Sequence, residues 1–449
     1  MHSLVHSAIL ILRHAGLVAL RDNRGAALAL TASATGLACV AGCIQHAQTI
    51  ESSPNGIVAE QAASSESPGG RLISTGAIDS ARPTNDIHSS PMEHLERITD
   101  PKDASARPER TMDSSDRRPP ILAVEMHDYT EYGVPIGLFS DKTLLMRRDG
   151  SIQFLPNARI VRQRILSDRF ESMERNEMAQ ELYNEFGRRY AIKFEAPYLV
   201  IANSHHIHAW SQRFRSLFHS FRLYCKTHGL ALREIEFPLV AIVLESHREF
   251  LHYAAADGST LPANCVGYYS QKSNRIVLYE SPHGIDQDTL ETICHEATHQ
   301  LAFNAGLHQR LAGTPLWVAE GFATMFESSK LSGLQSREGG SYWPESRRDD
   351  WKTLTKNPEG MYRLIDSLIR NDSAFDRDAL HAYCGSWALT AYLSQRRAAQ
   401  FGQYLNRVAS MPPFMKYDTA QRVADFNALF GKDTRLMAKS VIAFIESLD

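Results

Sequence analysis

Two histidines four residues apart constrain this chain more than anything else in it. They are His295 and His299, in the stretch TICHEATHQLAFNAG, Thr292 to Gly306. Leu290, Ile293, Cys294, Ala297 and Leu301 recur around them at helical spacing. That period predicts an amphipathic helix over Asp288–Asn304 with the apolar stripe in the core. His295 and His299 flank the stripe one turn apart, close enough for both imidazoles to hold the same ion. Glu296 projects between them and the next face. Such a helix must be met by a second element that brings a third ligand.

A third histidine in the spacing H-x-x-G-x-x-H is excluded, because Ala302 and Ala305 stand at the relevant positions. The next candidate lies in GTPLWVAEGFATMFE, Gly313 to Glu327. Thr314 reads there as an N-cap and Pro315 as the first helical residue. Leu316, Ala319, Ala323 and Phe326 form a packing stripe, and Glu320 sits beside it. A carboxylate in that setting is costly to bury unless it is paired or bound to metal. His295, His299 and Glu320 therefore make a candidate His₂Glu site for Zn2+, with a fourth position open for water, as in catalytic zinc sites. Glu296 would deprotonate that water, whose pKa zinc lowers, for attack on a peptide carbonyl.

HEATHQ followed by WVAEGFATMFE resembles the gluzincin metallopeptidases of the peptidase MA type, in particular the bacterial family called domain of unknown function 1570. YLVIANS, GYYSQKSNRIVLYE and YCGSWALTAYL (383–393) look like further landmarks of it, so the likeness covers residues 165–449. The resemblance implies a zincin-like catalytic domain: a small mixed sheet, an active-site helix and a C-terminal helical subdomain. It implies a fold and a metal site more firmly than a substrate. It also implies a donor for the oxyanion, for which Tyr383 in HAYCGSW is the candidate and His381 the second choice. Tyr383 reads equally well as a core aromatic on a helix. Ligating imidazoles need second hydrogen-bond partners, and Asn304 or residues near Thr324 could serve. In gluzincins an edge strand pairs with the substrate backbone, a place the resemblance gives to NRIVLYE (274–280); the other reading is a plain sheet strand. No stretch like G-A-M-E-N occurs, which favours an endopeptidase.

The rest of the chain reads in four parts. Residues 1–43 look like an export segment ending in VAGC, Val40 to Cys43, which resembles a lipoprotein box and implies cleavage before Cys43 and lipidation of its thiol. An ordinary signal peptide or an uncleaved anchor are the other readings. Residues 44–118 are rich in Ser, Pro, Ala and charge without a hydrophobic period, a composition that predicts a flexible tether. Residues 119–165 predict a small β-rich unit with Asp149-Gly150 as a hairpin turn. Residues 166–449 predict the gluzincin-like domain. Within it a helix reads over 170–187, a strand over 196–203, an aromatic-striped helix over 207–229 and a buried strand over 237–245. Two further strands read over 266–280, and the chain is mostly helical from Asp288 on. Strands first and helices last is the order of an α+β fold.

The net charge of -3 argues against a dedicated nucleic-acid binder. Cys39, Cys43, Cys225, Cys265, Cys294 and Cys384 form no C-x-x-C pair and no regular framework. His205, His206 and His208 have no pair four apart and read as a solvated loop at a helix start. The expectation is thus an exported, membrane-anchored zinc metallopeptidase with peptide or protein substrates. Its competitor is a catalytically silent cell-envelope binding protein that zinc stabilises on the same fold. A zinc hydrolase of non-peptide amides has only the open metal position in its favour.

Overall fold

The computed structural model describes residues 119–449 apart from 168, 263–264, 282–286, 335–343, 345–346 and 449. The export segment, with Cys39 and Cys43, and the tether expected over 44–118 lie outside the described residues. What is described falls in one compact unit. It is a mixed α+β structure of two small sheets followed by helices.

The first sheet holds β1 (Ile121–Met126), β2 (Thr130–Leu138), β3 (Lys142–Met146), β4 (Ile152–Pro156) and β5 (Ile160–Ser167), in the order β4-β3-β2-β1-β5. Every pairing in it is antiparallel. Gly150 turns the chain between β3 and β4 at φ 82°, a conformation glycine adopts without a Cβ penalty. One face carries Val124, Met126, Leu145 and Leu155 into a small core of its own. Elsewhere Ile121 and Val134 pack with Phe170 and Phe237.

The second sheet holds β6 (Tyr190–Glu195), β7 (Tyr198–Asn203), β8 (Leu239–Leu244), β9 (Gly267–Ser270) and β10 (Arg275–Tyr279), in the order β6-β7-β8-β10-β9. The two outer pairings are antiparallel and the two inner ones parallel. β8, LVAIVL, is buried at all six positions, as an unbroken apolar run in a strand covered on both faces should be. Its alternate residues divide between two layers. Val240, Ile242 and Leu244 pack with Met178 and Leu182 of α1 (Arg175–Phe186) and Phe250 of α3 (His247–Asp257). Leu239, Ala241 and Val243 pack with Trp210, Phe214 and Phe221 of α2 (Ile207–Thr227) and Ile293 and Ala297 of α4 (Gln287–Asn304). α1 starts later than expected because Phe170 is drawn into the first core, 6.2 Å from Phe237, and Met173 N–H donates to Arg148 O at 2.7 Å. Strand β6 has no counterpart in the sequence reading.

Two ties hold the sheets together. Ile152 N–H donates to Lys272 O at 2.8 Å. Arg310 donates through Nη1 to Gly150 O at 2.7 Å and through Nε to Gln271 O at 2.6 Å. The hairpin tip of the first sheet is thus fastened to the turn between β9 and β10.

The remainder is helical: α5 (Leu316–Glu327), α6 (Ser329–Ser332), α7 (Arg348–Thr355), α8 (Pro358–Arg370), α9 (Ser373–Arg377), α10 (Ala379–Arg396), α11 (Ala398–Ala409), α12 (Thr419–Phe430) and α13 (Thr434–Glu446). α5 is buried at every position and packs against both α4 and α10. Its start corrects the sequence reading. Pro315 occupies the cap position with no side-chain cap, and Thr314 Oγ1 turns back to Gln309 O at 3.3 Å. Leu316 N–H donates instead to Asp372 Oδ1 at 3.1 Å, and Asp372 is held by Arg422 at 2.9 Å. A helix start sealed from water needs an acceptor for its free amide, and here the acceptor comes from a distant segment.

Cys225, Cys265, Cys294 and Cys384 are buried, and none of them is in a disulfide. Among the described residues no helix is long and apolar enough to cross a membrane.

The close approach of α5 to α10 depends on Gly321, where a Cβ would collide with Ser386 O and Thr390 Oγ1. Backbone and a buried hydroxyl cannot yield as a flexible side chain would. Gly321→Ala should cost about 1–3 kcal/mol of stability, the usual penalty for overpacking. Urea unfolding of the two proteins checks this; equal midpoints would show that the helices separate freely.

Candidate metal centre

The candidate ligands come from two helices that the core forces together. On α4, Ile293, Cys294, Ala297 and Leu301 are buried and lock the helix against the sheet. Gln300 adds a polar anchor, donating through Nε2 to Asn274 O at 2.7 Å and to Val240 O at 3.2 Å. This fixes the rotation of α4, so that His295 and His299 turn toward α5. On α5, Glu320 faces them.

His295, His299 and Glu320 form a buried group whose donor atoms all lie within 4.8 Å of one another. His295 Nε2 is 3.0 Å from His299 Nε2 and 3.2 Å from Glu320 Oε2. His299 Nε2 is 3.4 Å from the same oxygen. Three donors bound tetrahedrally to zinc at about 2.0–2.1 Å would stand roughly 3.3–3.4 Å apart. The triangle matches that size, and two imidazole nitrogens with a carboxylate are a donor set zinc accepts. The residues fit a metal of that kind.

Around the triangle each position has a distinct environment. Glu327 Oε1 lies 2.7 Å from His295 Nδ1, the contact that orients a ligating imidazole and sets its tautomer. Glu296, fully buried, accepts from Tyr269 N–H of β9 at 2.8 Å. Tyr383 is buried on α10 with its ring centroid 6.5 Å from that of His295. Arg347, just before α7, brings Nε to 3.6 Å from Glu327 Oε2 and lies 5.5 Å from the Tyr383 ring centroid. Neither ring nitrogen of buried His308 meets a hydrogen-bond partner among the described residues, and neither does His299 Nδ1. Burial, then the nearby His299, pushes His308 down to about 3, so it stays neutral.

Not every residue singled out in the sequence reaches this cluster. His381 pairs with Asp378 at 2.5 Å and lines a surface cavity of about 480 Å³ with Arg363 and Arg377. Asn304 binds Asn274, at 2.8 Å, and the Gln300 carbonyl rather than a histidine. Its job is to hold the left-handed residue Asn274, φ 60°, at the β9–β10 turn. Strand 275–279 is interior, between β8 and β9, so the edge on that side is β9 instead. His205, His206 and His208 are exposed, with His206 on Glu280 at 2.8 Å and His208 near Lys193 at 3.1 Å. Glu327 and Arg347 were not foreseen. Glu327 carries a readable signal, two turns after Glu320 on the same helix; Arg347 lies in no periodic segment.

Residues 289–415 match the profile of the family described as "Protein of unknown function (DUF1570)". The profile is that of the family the sequence resembles, matched over 289–415 of the 165–449 expected. The match spans α4, α5 and α10, the helices that build the site. No curated protein matches the chain. Among solved structures, it is similar to a mutant M1 zinc metallopeptidase from Deinococcus radiodurans crystallised with a Tyr-Ser-Ala substrate. Identity is 13%, coverage is 57% of this chain and 51% of that one, and the TM-score is 0.30. The chain thus spans about half the length of that enzyme, and likeness at this level does not fix a fold.

Electrostatics make the metal-free group sensitive to pH. Burial disfavours a charge on His295, but the carboxylates of Glu320 and Glu327 overcome it and raise its pKa above the ordinary 6.5. Burial likewise opposes charge on Glu320, but His299 and His295 outweigh it and hold its pKa below the ordinary 4.5. The raised imidazole contributes stability in full below pH 6.5 and loses it as pH climbs through the raised value. The lowered carboxylate contributes above pH 4.5 and loses it as pH falls through the lowered value. Metal-free protein should therefore draw the full contribution between pH 4.5 and 6.5 and less on either side. Denaturant unfolding after chelation, wild type beside His295→Gln, measures it. A difference between the two that stays constant as pH rises above 6.5 would contradict the assignment.

Proposed function

We propose that this protein is a zinc-dependent peptidase of the gluzincin type, working outside the cytoplasm on peptide or protein substrates. On this reading the chain is exported and held at the membrane through a lipid on Cys43, and it has no nucleic-acid partner. The observation that carries the activity is the triangle of His295, His299 and Glu320, sized for a tetrahedral metal and built from a zinc-type donor set. The family match supports the reading of the region and leaves the chemistry to the site.

When bound, zinc supplies Lewis-acid polarisation of a carbonyl and acidifies a water. The chain's own residues supply the rest. Glu327 accepts the hydrogen bond that His295 Nδ1–H donates, which leaves the Nε2 lone pair for coordination. Glu296 is the proton acceptor, its carboxylate positioned by the Tyr269 amide. Tyr383 is the hydrogen-bond donor for negative charge that develops on the substrate oxygen. β9, an edge strand of the second sheet, adjoins Glu296 through that same amide, and on this reading an extended peptide substrate would lie along it. The lack of a G-A-M-E-N-like stretch makes endopeptidase the preferred form.

The depth of the site favours one other reading. His295, Glu296, His299 and Glu320 are all at most 4% exposed, as suits a metal that only ties helices together in a silent envelope binding protein. Two variants separate the readings. Glu296→Gln should keep bound zinc and lower hydrolysis of a peptide library by about 10²–10⁴-fold, the worth of a general base. Glu320→Ala should lose most of the zinc on dialysis against a mild chelator. Unchanged hydrolysis in the first variant would remove Glu296 from the mechanism. A wild-type protein that cuts nothing and unfolds on zinc removal would establish the silent reading.

A further inference from the structure

A second layer of control over the site lies in Arg347. A fully buried guanidinium is expensive unless a specific charge answers it. Arg347 is 3% exposed, and the acid that answers it is Glu327, with Nε 3.6 Å from Oε2. Glu327 spends its other oxygen on His295 Nδ1 at 2.7 Å. The same guanidinium lies over the ring of Tyr383, 5.5 Å from the centroid, and that ring also neighbours His295, at 6.5 Å between centroids. One flat cation therefore meets two neighbours of the imidazole. Phe375 packs on Tyr383 as well, edge to face at 5.2 Å, so the ring has both an aromatic and a cation against it.

We propose that Arg347 is a positioning residue for the metal centre, setting the orientation of His295 through Glu327 and of Tyr383 through its ring. The proposal rests on the reading of His295, His299 and Glu320 as metal-holding. A buried pair kept only for packing would be replaceable by an apolar side chain of similar volume at little cost. A pair kept for orientation would not, since the metal site would feel the change two contacts away. Carboxylates that orient ligating histidines affect metal affinity by about 10–100-fold, and Arg347 should act through that same contact. Lysine is a poor substitute, because a point charge on a flexible stem cannot both face Glu327 and lie flat on Tyr383.

The test compares full-length wild type with Arg347→Met, Arg347→Lys, Glu327→Gln and the double variant Glu327→Gln/Arg347→Met. Zn2+ affinity is read by competition with a chromogenic chelator, and the visible absorption of Co2+-loaded protein reports ligand geometry. Circular dichroism and melting of the metal-free proteins show which variants are folded. Arg347→Met should weaken Zn2+ binding about 10–100-fold and shift the Co2+ spectrum. Arg347→Lys should fall between it and wild type. The double variant should bind no more weakly than Glu327→Gln alone, because the arginine works through that carboxylate. Wild-type affinity and an unshifted spectrum in Arg347→Met would overturn the proposal while leaving the metal site intact, as would losses that multiply in the double variant. Should Arg347→Met not fold, Arg347→Lys decides: wild-type affinity with an unshifted spectrum overturns the proposal. A wild-type protein that binds no Zn2+ would overturn both this and the metal reading.

Discussion

A carboxylate on a helix with no wet side is the constraint on which the rest of this molecule turns. α5 is buried at every position, yet it carries Glu320 and Glu327. Neither acid can reach water, so each must be answered from within. The answer to Glu320 is a pair of imidazoles from α4, and the answer to Glu327 is one of those imidazoles together with Arg347. α4 cannot shift without leaving Glu320 unpaired and Glu327 with Arg347 alone. α10 cannot shift without opening the space beside Gly321. A polar cluster in a dry interior is strongly coupled, since low dielectric magnifies every pairwise term.

How much of this could be read from the chain differs by kind of feature. Helical period placed α2 to within two residues at its C-terminus, since Trp210, Phe214, Leu217 and Phe221 all go inside. The all-apolar run of β8 and the stop at Gly187, φ 67°, were equally plain. Glu320 stood out because charge beside an apolar stripe needs an explanation. Strand order was not legible. Whether β9 or β10 forms the edge depends on the parallel pairing of β10 with β8, a contact between segments about thirty residues apart that leaves no local trace. The cap of α5 failed for the same reason: Asp372 comes from a distant segment and outcompetes Thr314, the local choice. Arg347 was invisible because its partners, Glu327 and Tyr383, lie on helices it does not belong to.

The first sheet keeps a small core of its own, and the sequence places the end of the β-rich unit at residue 165, which invites a cut there. The ties described for Arg310 and Lys272 make such a cut costly. Removing residues 119–165 would take Gly150 O from Arg310 and the Ile152 amide from Lys272, and would bare Phe170 and Phe237. The turn they brace contains Asn274, which is joined in turn to Asn304 at the end of α4. The first sheet is therefore a buttress rather than an appendage. Its melting would slacken the far end of the histidine helix, and the two sheets should unfold as one cooperative unit.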